Sequence, residues 1–324
     1  MQKIYKYSQI VNKYSIENKN KLSTNEFYKD RKFLKIDTSK SIVKKVYDSK
    51  DNDKLLKRVL AIDTNSEESV LDFLNEYGLF SRTKVLIARA AYNRTTNIYM
   101  EYDIIINTIL RVKNLVNLIS AYKRKNAVDT TFALTELIFM DTYTISFNDE
   151  LNGYIIEGCD KLFNQLLNLE IGGIFIEDFL ALLNKFEKMT DTCRTFENDN
   201  EEICYELSQD EKANLIIVSE TVIAYEINTN IKNCSNFVYC TGGNIELYSR
   251  IDSLISAIYM EICMINQNST VLRKCANPTC NNYFETTAEN TKKIYCCSNC
   301  ATMVAKRKYR RRLKNKQNQT KKKE

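Results

Sequence analysis

The chain has 324 residues, 44% hydrophobic and 27% charged, enough to bury a sizeable core and to divide into about two domains. It has no histidine, which excludes Ser-His-Asp and Cys-His catalysis, histidine-bearing zinc hydrolases and haem held by histidine. Seven Gly and one Pro disfavour an all-β architecture, and no glycine falls in a phosphate-binding loop pattern. The formal charge of +6 is uneven, because residues 301–324 hold seven Lys and four Arg against Glu324 and leave the rest mildly acidic.

Residues 1–50 are polar with short apolar runs such as Phe33-Leu34-Lys35-Ile36, and read as an N-terminal arm with at most short strands. Thr64-Asn65-Ser66-Glu67 has a capping-box pattern; Val70, Phe73, Leu74 and Tyr77 follow at helical spacing, and Gly78 supplies the stop. Similar patterns predict helices over 81–93, 97–122, 126–143, 155–169, 175–190 and 207–227. A last one runs over 244–266, with Leu247, Ile251, Leu254, Ile255, Ile258, Tyr259 and Ile262 on one face. The expectation is a mainly α fold, with residues 51–268 as a helical domain.

The start has no apolar core of signal-peptide length, and the richest apolar stretch, 172–183, is broken by Glu177 and Asp178. A cytoplasmic protein without a membrane span is expected. Carboxylate pairs such as Glu101 with Asp103, or Glu177 with Asp178, sit at spacings common on any solvated helix, so no catalytic residue is assigned. The helical domain is read as a place for ligand sensing, homodimerisation or a protein partner.

Eleven cysteines in a chain expected to stay reduced read as thiols or metal ligands, not a disulfide framework. Cys159, Cys193, Cys204, Cys234, Cys240 and Cys263 lack ligand spacing. Cys275-x4-Cys280 and, fifteen residues on, Cys296-x3-Cys300 have it, with Cys297 as an alternative to Cys296. Two short loops, each presenting two thiolates, meet the tetrahedral need of one structural zinc ion, and four thiolates leave no position open for water or substrate. Pro278 suits a knuckle between Cys275 and Cys280, Tyr283 and Phe284 could close a miniature core, and 281–294 is long enough for a hairpin. Cys296 is expected to start the last helix, whose positive N-terminus favours thiolates. Ala301, Ala305, Tyr309 and Leu313 form a narrow apolar stripe there, and Lys306, Arg307, Arg310, Arg311 and Lys314 are the expected nucleic-acid contacts, chiefly to phosphates. Arg273, Lys274, Lys292 and Lys293 could instead balance the thiolate charge. The module is bounded at 269–314, followed by a basic disordered tail over 315–324.

The run Arg273-Lys274-Cys275-x4-Cys280-x3-Phe284, Tyr295-Cys296-x3-Cys300 and Ala305-Lys306-Arg307-Lys308-Tyr309-Arg310-Arg311-Arg312 resembles the CGNR-type zinc finger. The resemblance implies a treble-clef-like α+β module of knuckle, hairpin and helix, with Cys275, Cys280, Cys296 and Cys300 as zinc ligands and the basic helix facing DNA. It also implies a transcriptional regulator. The family's namesake Cys-Gly-Asn-Arg reads Cys300-Ala301-Thr302-Met303, so the resemblance is to a divergent member. An alternative is a zinc-stabilised protein-interaction or RNA- and ribosome-binding protein.

Overall fold

The computed structural model describes residues 4–18, 32–48, 55–80, 97–138, 140–148, 153–161, 185, 207–232, 234–241, 244–251, 253–266, 270–290 and 292–321. The expected helices over 81–93 and 175–190 lie outside these apart from residue 185, as do Cys193 and Cys204. Among the described residues the fold is mainly helical, with seven helices and a small strand-and-helix segment at the C-terminus.

Helix α1 (Leu55–Ala61) leads into α2 (Glu67–Tyr77), where the side chain of N-cap Ser66 accepts from the Ser69 N–H. Gly78 ends α2 at φ 87°, a left-handed value that a Cβ would penalise, and its N–H bonds the Leu74 carbonyl at 2.7 Å. Val70, Phe73 and Leu74 are buried, and Phe73 stacks on Tyr77 at 4.9 Å between centroids. Helices α3 (Tyr102–Lys123) and α4 (Ala127–Ile138) form the adjoining pair. Helix α5 (Gln209–Ile231) opens with a capping box between Ser208 and Glu211, and α6 (Leu254–Asn266) packs beside it. Only α3, among the described residues, is long and apolar enough to cross a membrane, and Ile109, Val112, Leu115 and Leu118 bury it in the core.

The expected N-terminal arm is instead two long strands, β1 (Ile4–Asn18) and β2 (Lys32–Asp48), paired antiparallel. With β3 (Asn97–Glu101), β4 (Asp141–Asn148), β5 (Gly153–Lys161), β6 (Ser235–Thr241) and β7 (Asn244–Arg250) they build a seven-stranded sheet in the order β4-β5-β3-β2-β1-β7-β6. Its β1–β7 and β3–β5 pairings are parallel. The expected helices therefore need correction in four places: 97–101 and 141–148 are strands, the start of 155–169 is β5, and 244–250 is β7, so the last body helix begins only at Leu254. These segments carry Ile and Tyr, with Thr and Phe in β4, types that suit either a pleated surface or a buried helix, and pairing across the sheet decides the outcome.

Leu34 of β2 and Met100 of β3 are cross-strand neighbours, and both join the core of α1, α2, α3 and α6. Inside this core Glu226 of α5 is fully buried. Arg111 of α3 donates to both of its carboxylate oxygens, and the Tyr259 hydroxyl donates to Oε2 at 3.0 Å. Burial opposes the charge on Arg111, yet the facing carboxylate outweighs it and raises the guanidinium above its ordinary pKa. A second buried acid, Glu261, accepts the Leu56 N–H in the first turn of α1 at 2.6 Å.

Strand β8 (Thr270–Lys274) follows α6 and pairs antiparallel with β9 (Tyr283–Thr287). The hairpin expected within 281–294 thus forms across the first cysteine pair, because β9 pairs back onto β8. Leu272 belongs to the main core and Tyr283 packs against it, so the C-terminal segment is continuous with the body. Helix α7 (Ser298–Lys321) completes the described chain; the tail expected to be disordered from residue 315 is instead helical as far as Lys321.

Candidate metal centre and basic helix

Two loops bring four sulfurs together. The first runs from β8 through Cys275 to Cys280, and the Cys280 N–H closes a turn onto the Asn277 carbonyl at 2.8 Å. The second enters α7 through Cys296 and Cys297. They are stitched by the Ala276 N–H to the Ile294 carbonyl at 2.9 Å and by the Cys296 N–H to Cys275 Sγ at 3.4 Å. The helix begins at Ser298, two residues later than expected, and Cys300 lies in its first turn.

The Sγ atoms of Cys275, Cys280, Cys296 and Cys300 all lie within 4.8 Å of one another. Cys296 Sγ is 3.7 Å from Cys280 Sγ and 3.6 Å from Cys300 Sγ. A tetrahedral zinc with Zn–S bonds of about 2.3 Å places its sulfurs about 3.8 Å apart, so the four fit one zinc ion. Cys296, not Cys297, completes this group; Cys297 is exposed, although its sulfur lies 3.8 Å from that of Cys296. Cys275 and Cys300 are buried around Phe284, with Cys280, Tyr295 and Cys296 packed against them. Tyr283, expected in this miniature core, instead faces the body.

The thiols are unevenly prepared for ionisation. Burial opposes the Cys275 thiolate, but the backbone N–H groups of Cys296 and Asn277 hold its pKa below the ordinary thiol value. Burial first, and the neighbouring thiols of Cys300, Cys275 and Cys280 after it, raise Cys296. A divalent cation among the sulfurs reverses that penalty by stabilising the thiolates.

Asn277, only 1% exposed, supports the sulfurs. Its Nδ2 donates to Cys300 Sγ at 3.4 Å, while Oδ1 accepts from Thr279 Oγ1 at 3.1 Å and from Arg307 Nη1 at 2.9 Å. Arg307 Nη2 also donates to Thr279 Oγ1 at 2.9 Å. Arg307, expected to contact nucleic acid, is therefore tied to the first knuckle. Sequence reasoning missed Asn277 as well; the available signal was a polar amide inside a four-residue knuckle, able to donate to one sulfur loop while accepting from elsewhere.

The basic residues before the helix staple the hairpin. Arg273 Nη1 donates to the Lys293 carbonyl at 3.0 Å, and Lys293 Nζ lies 5.2 Å from the centre of the Phe284 ring. On α7 the residues facing the metal side are Cys300, Val304 and Arg307, spaced i, i+4, i+7. The expected apolar stripe points away from it: Tyr309 is 64% exposed and Leu313 43%. Thr302, Ala305, Lys306, Tyr309 and Arg310 line one shallow groove on that outward face. Arg311 is exposed as well, on the azimuth of Cys300 but further along the helix; the backbone of Lys314 lies within α7.

Residues 272–313 match the family model of the CGNR zinc finger. No curated protein and no solved structure matches the chain. The match, the four clustered sulfurs and the order of knuckle, strand and helix make the C-terminal segment a divergent CGNR-type zinc finger attached to a mainly helical body.

Proposed function

We propose that the protein is a cytoplasmic nucleic-acid-binding regulator, with duplex DNA as its target and one structural zinc ion in its C-terminal finger. The observation that carries this reading is the charge of α7. The helix has no acidic residue, and Lys306, Lys308, Arg310, Arg311 and Arg312 are exposed around it. Such a density of cations on one rigid element favours a polyanion, and contacts to phosphate give affinity that falls steeply with salt. Lys306, Arg310, Arg311 and Lys314 remain the proposed contacts, while Arg307 is assigned to the knuckle. Zinc held by four thiolates orients the helix and supplies no open coordination position for catalysis.

The test is a salt titration of binding to random-sequence duplex DNA, with zinc quantified on the same sample. Arg310→Glu with Arg311→Glu is expected to weaken binding at least tenfold and to flatten the dependence on salt by about two counterions. Unchanged affinity and slope in the double variant would overturn the DNA reading. A second reading, a zinc-stabilised protein contact, is favoured by exposed Met303, Tyr309 and Leu313 on the same helix, and predicts association insensitive to salt.

A further inference from the structure

Helix α7 is anchored to the fold over a short stretch only. Cys300 and Val304 are buried and Arg307 holds the knuckle, but every residue from Ala305 to Leu313 is exposed. At about 1.5 Å per residue, the part beyond Val304 is a rod of about 25 Å ending at Lys321. Of the five large apolar side chains exposed among the described residues, three, Met303, Tyr309 and Leu313, lie on this helix. An element that met only phosphates would gain nothing from them, since apolar surface left in water is costly.

The apolar groups are ordered relative to the cations. At about 100° per residue, Thr302, Ala305, Tyr309 and Leu313 fall along one strip of the helix. Lys306 and Arg310 follow one edge of this strip, and Lys308 and Arg312 follow the other. Cys300, Val304 and Arg307 occupy the opposite side, toward the metal. Thr302, Ala305 and Tyr309 share a shallow groove with the cations of the first edge, so this part of the strip is concave. The small side chains of Thr302 and Ala305 let a partner come close to the helix backbone, and Tyr309 stands one turn beyond Ala305.

An apolar strip between two rows of cations is the complement of the DNA major groove. That groove admits an α-helix, is bounded by two rows of phosphates, and presents the C5 methyl of thymine as the apolar feature of its floor. A protein partner would need acidic groups on both sides of an apolar ridge to match the strip equally well. We propose that the outward strip of α7 reads sequence in the major groove, taking thymine methyl groups against Thr302, Ala305 and Tyr309 while the cations on its two edges hold the flanking phosphates. The inference rests on the reading of α7 as a DNA-binding element and adds to it the base that is preferred.

The test uses the full-length, zinc-loaded chain and two short duplexes of equal length, alternating A·T and the same duplex with uracil in place of thymine. Alternating A·T puts a methyl group on every base pair, so the binding register need not be known. Uracil removes that methyl while keeping charge and pairing. The thymine duplex is expected to bind at least about fourfold tighter, the gain for burying one methyl group, with the same dependence on salt. Tyr309→Ala, at an exposed position, should keep zinc and the salt dependence and bring the ratio down toward one. Arg312→Gln should weaken binding to both duplexes alike. Equal affinities for the two duplexes, with salt-dependent binding intact, overturn the inference and leave the DNA reading standing; a protein contact at the strip would give this result. A ratio unchanged by Tyr309→Ala also overturns it, by assigning the preference to duplex shape. Absence of salt-dependent binding to either duplex overturns the inference and the DNA reading together.

Discussion

Arg307 and Lys306 are neighbours of like charge on one helix, yet their partners separate their roles. Arg307 holds Asn277 and Thr279 with two nitrogens of its planar fork, while Lys306 lines the outward groove. Arg307→Ala is therefore expected to lower zinc affinity about 10–100-fold, the usual effect of removing a group that orients a ligand set, as read by competition with a chromogenic chelator. Arg307→Lys should rescue only part, because a single ammonium cannot span both oxygens. Lys306→Ala should keep zinc affinity and weaken DNA binding instead. In the body, Glu226 answers both Arg111 and Tyr259 with no exposure of its own. Glu226→Ala leaves a buried cation without its partner, and urea unfolding should show a loss of about 3–5 kcal/mol at unaltered zinc content.

Lys113 joins two helices and makes stability depend on pH. From α3 it donates to the Ile62 carbonyl just past α1, at 2.5 Å. Burial first, then the charge of Lys274, lowers its pKa to about 8, with Asp63 opposing. The unfolded chain, near the ordinary lysine value of 10.5, then binds this proton more tightly than the folded one, so between about pH 8 and 10 the folded state gains stability as pH rises. Lys113→Met should lose that gain, and the difference between wild type and variant in urea unfolding at pH 8 and pH 10 measures it. Other elements differ in how plainly the sequence announces them. Helix α2 was legible from its apolar face and its glycine stop, but its cap is Ser66, two residues past the Thr64 to which the capping-box pattern pointed, and it bonds Ser69 with no reciprocal glutamate. The four sulfurs were legible as well, because their spacing is local. Strand β7 was misread as helix because Leu247 and Ile251 continue the apolar face of α6, although Gly242-Gly243 between two runs of alternating residues is a hairpin signal. The parallel pairing of β1 with β7 joins segments over two hundred residues apart, which no local pattern encodes.

At the scale of the whole molecule, the question is whether the zinc finger is an appendage or a part of the fold. The sequence suggests an appendage, since two short cysteine loops can fold around metal without a large core. The contacts argue otherwise. Leu272, three residues before Cys275, is 2% exposed inside the main core, and Tyr283 packs on that core from the other strand. Lys57 of α1 also pairs with Glu285 of β9 at 2.8 Å, though at an exposed site worth little by itself. Without zinc, the crowded thiols lose the cation that favours their ionisation, the knuckle loses its closure, and β8 and β9 remain held only by their own ladder and by the body. Folding free energy that metal binding supplies to the finger is thereby shared with the helices it rests on. Chelation of zinc, or Cys280→Ser, is expected to lower the main calorimetric transition by at least about 2 °C, the shift that about 1 kcal/mol produces in a fold of 150–250 residues. If the finger loses its zinc and the main transition does not move, the body folds independently of it. A transition that moves with zinc means instead that the finger and the body unfold as one cooperative unit, so that the metal stabilises the helices as well as the knuckle.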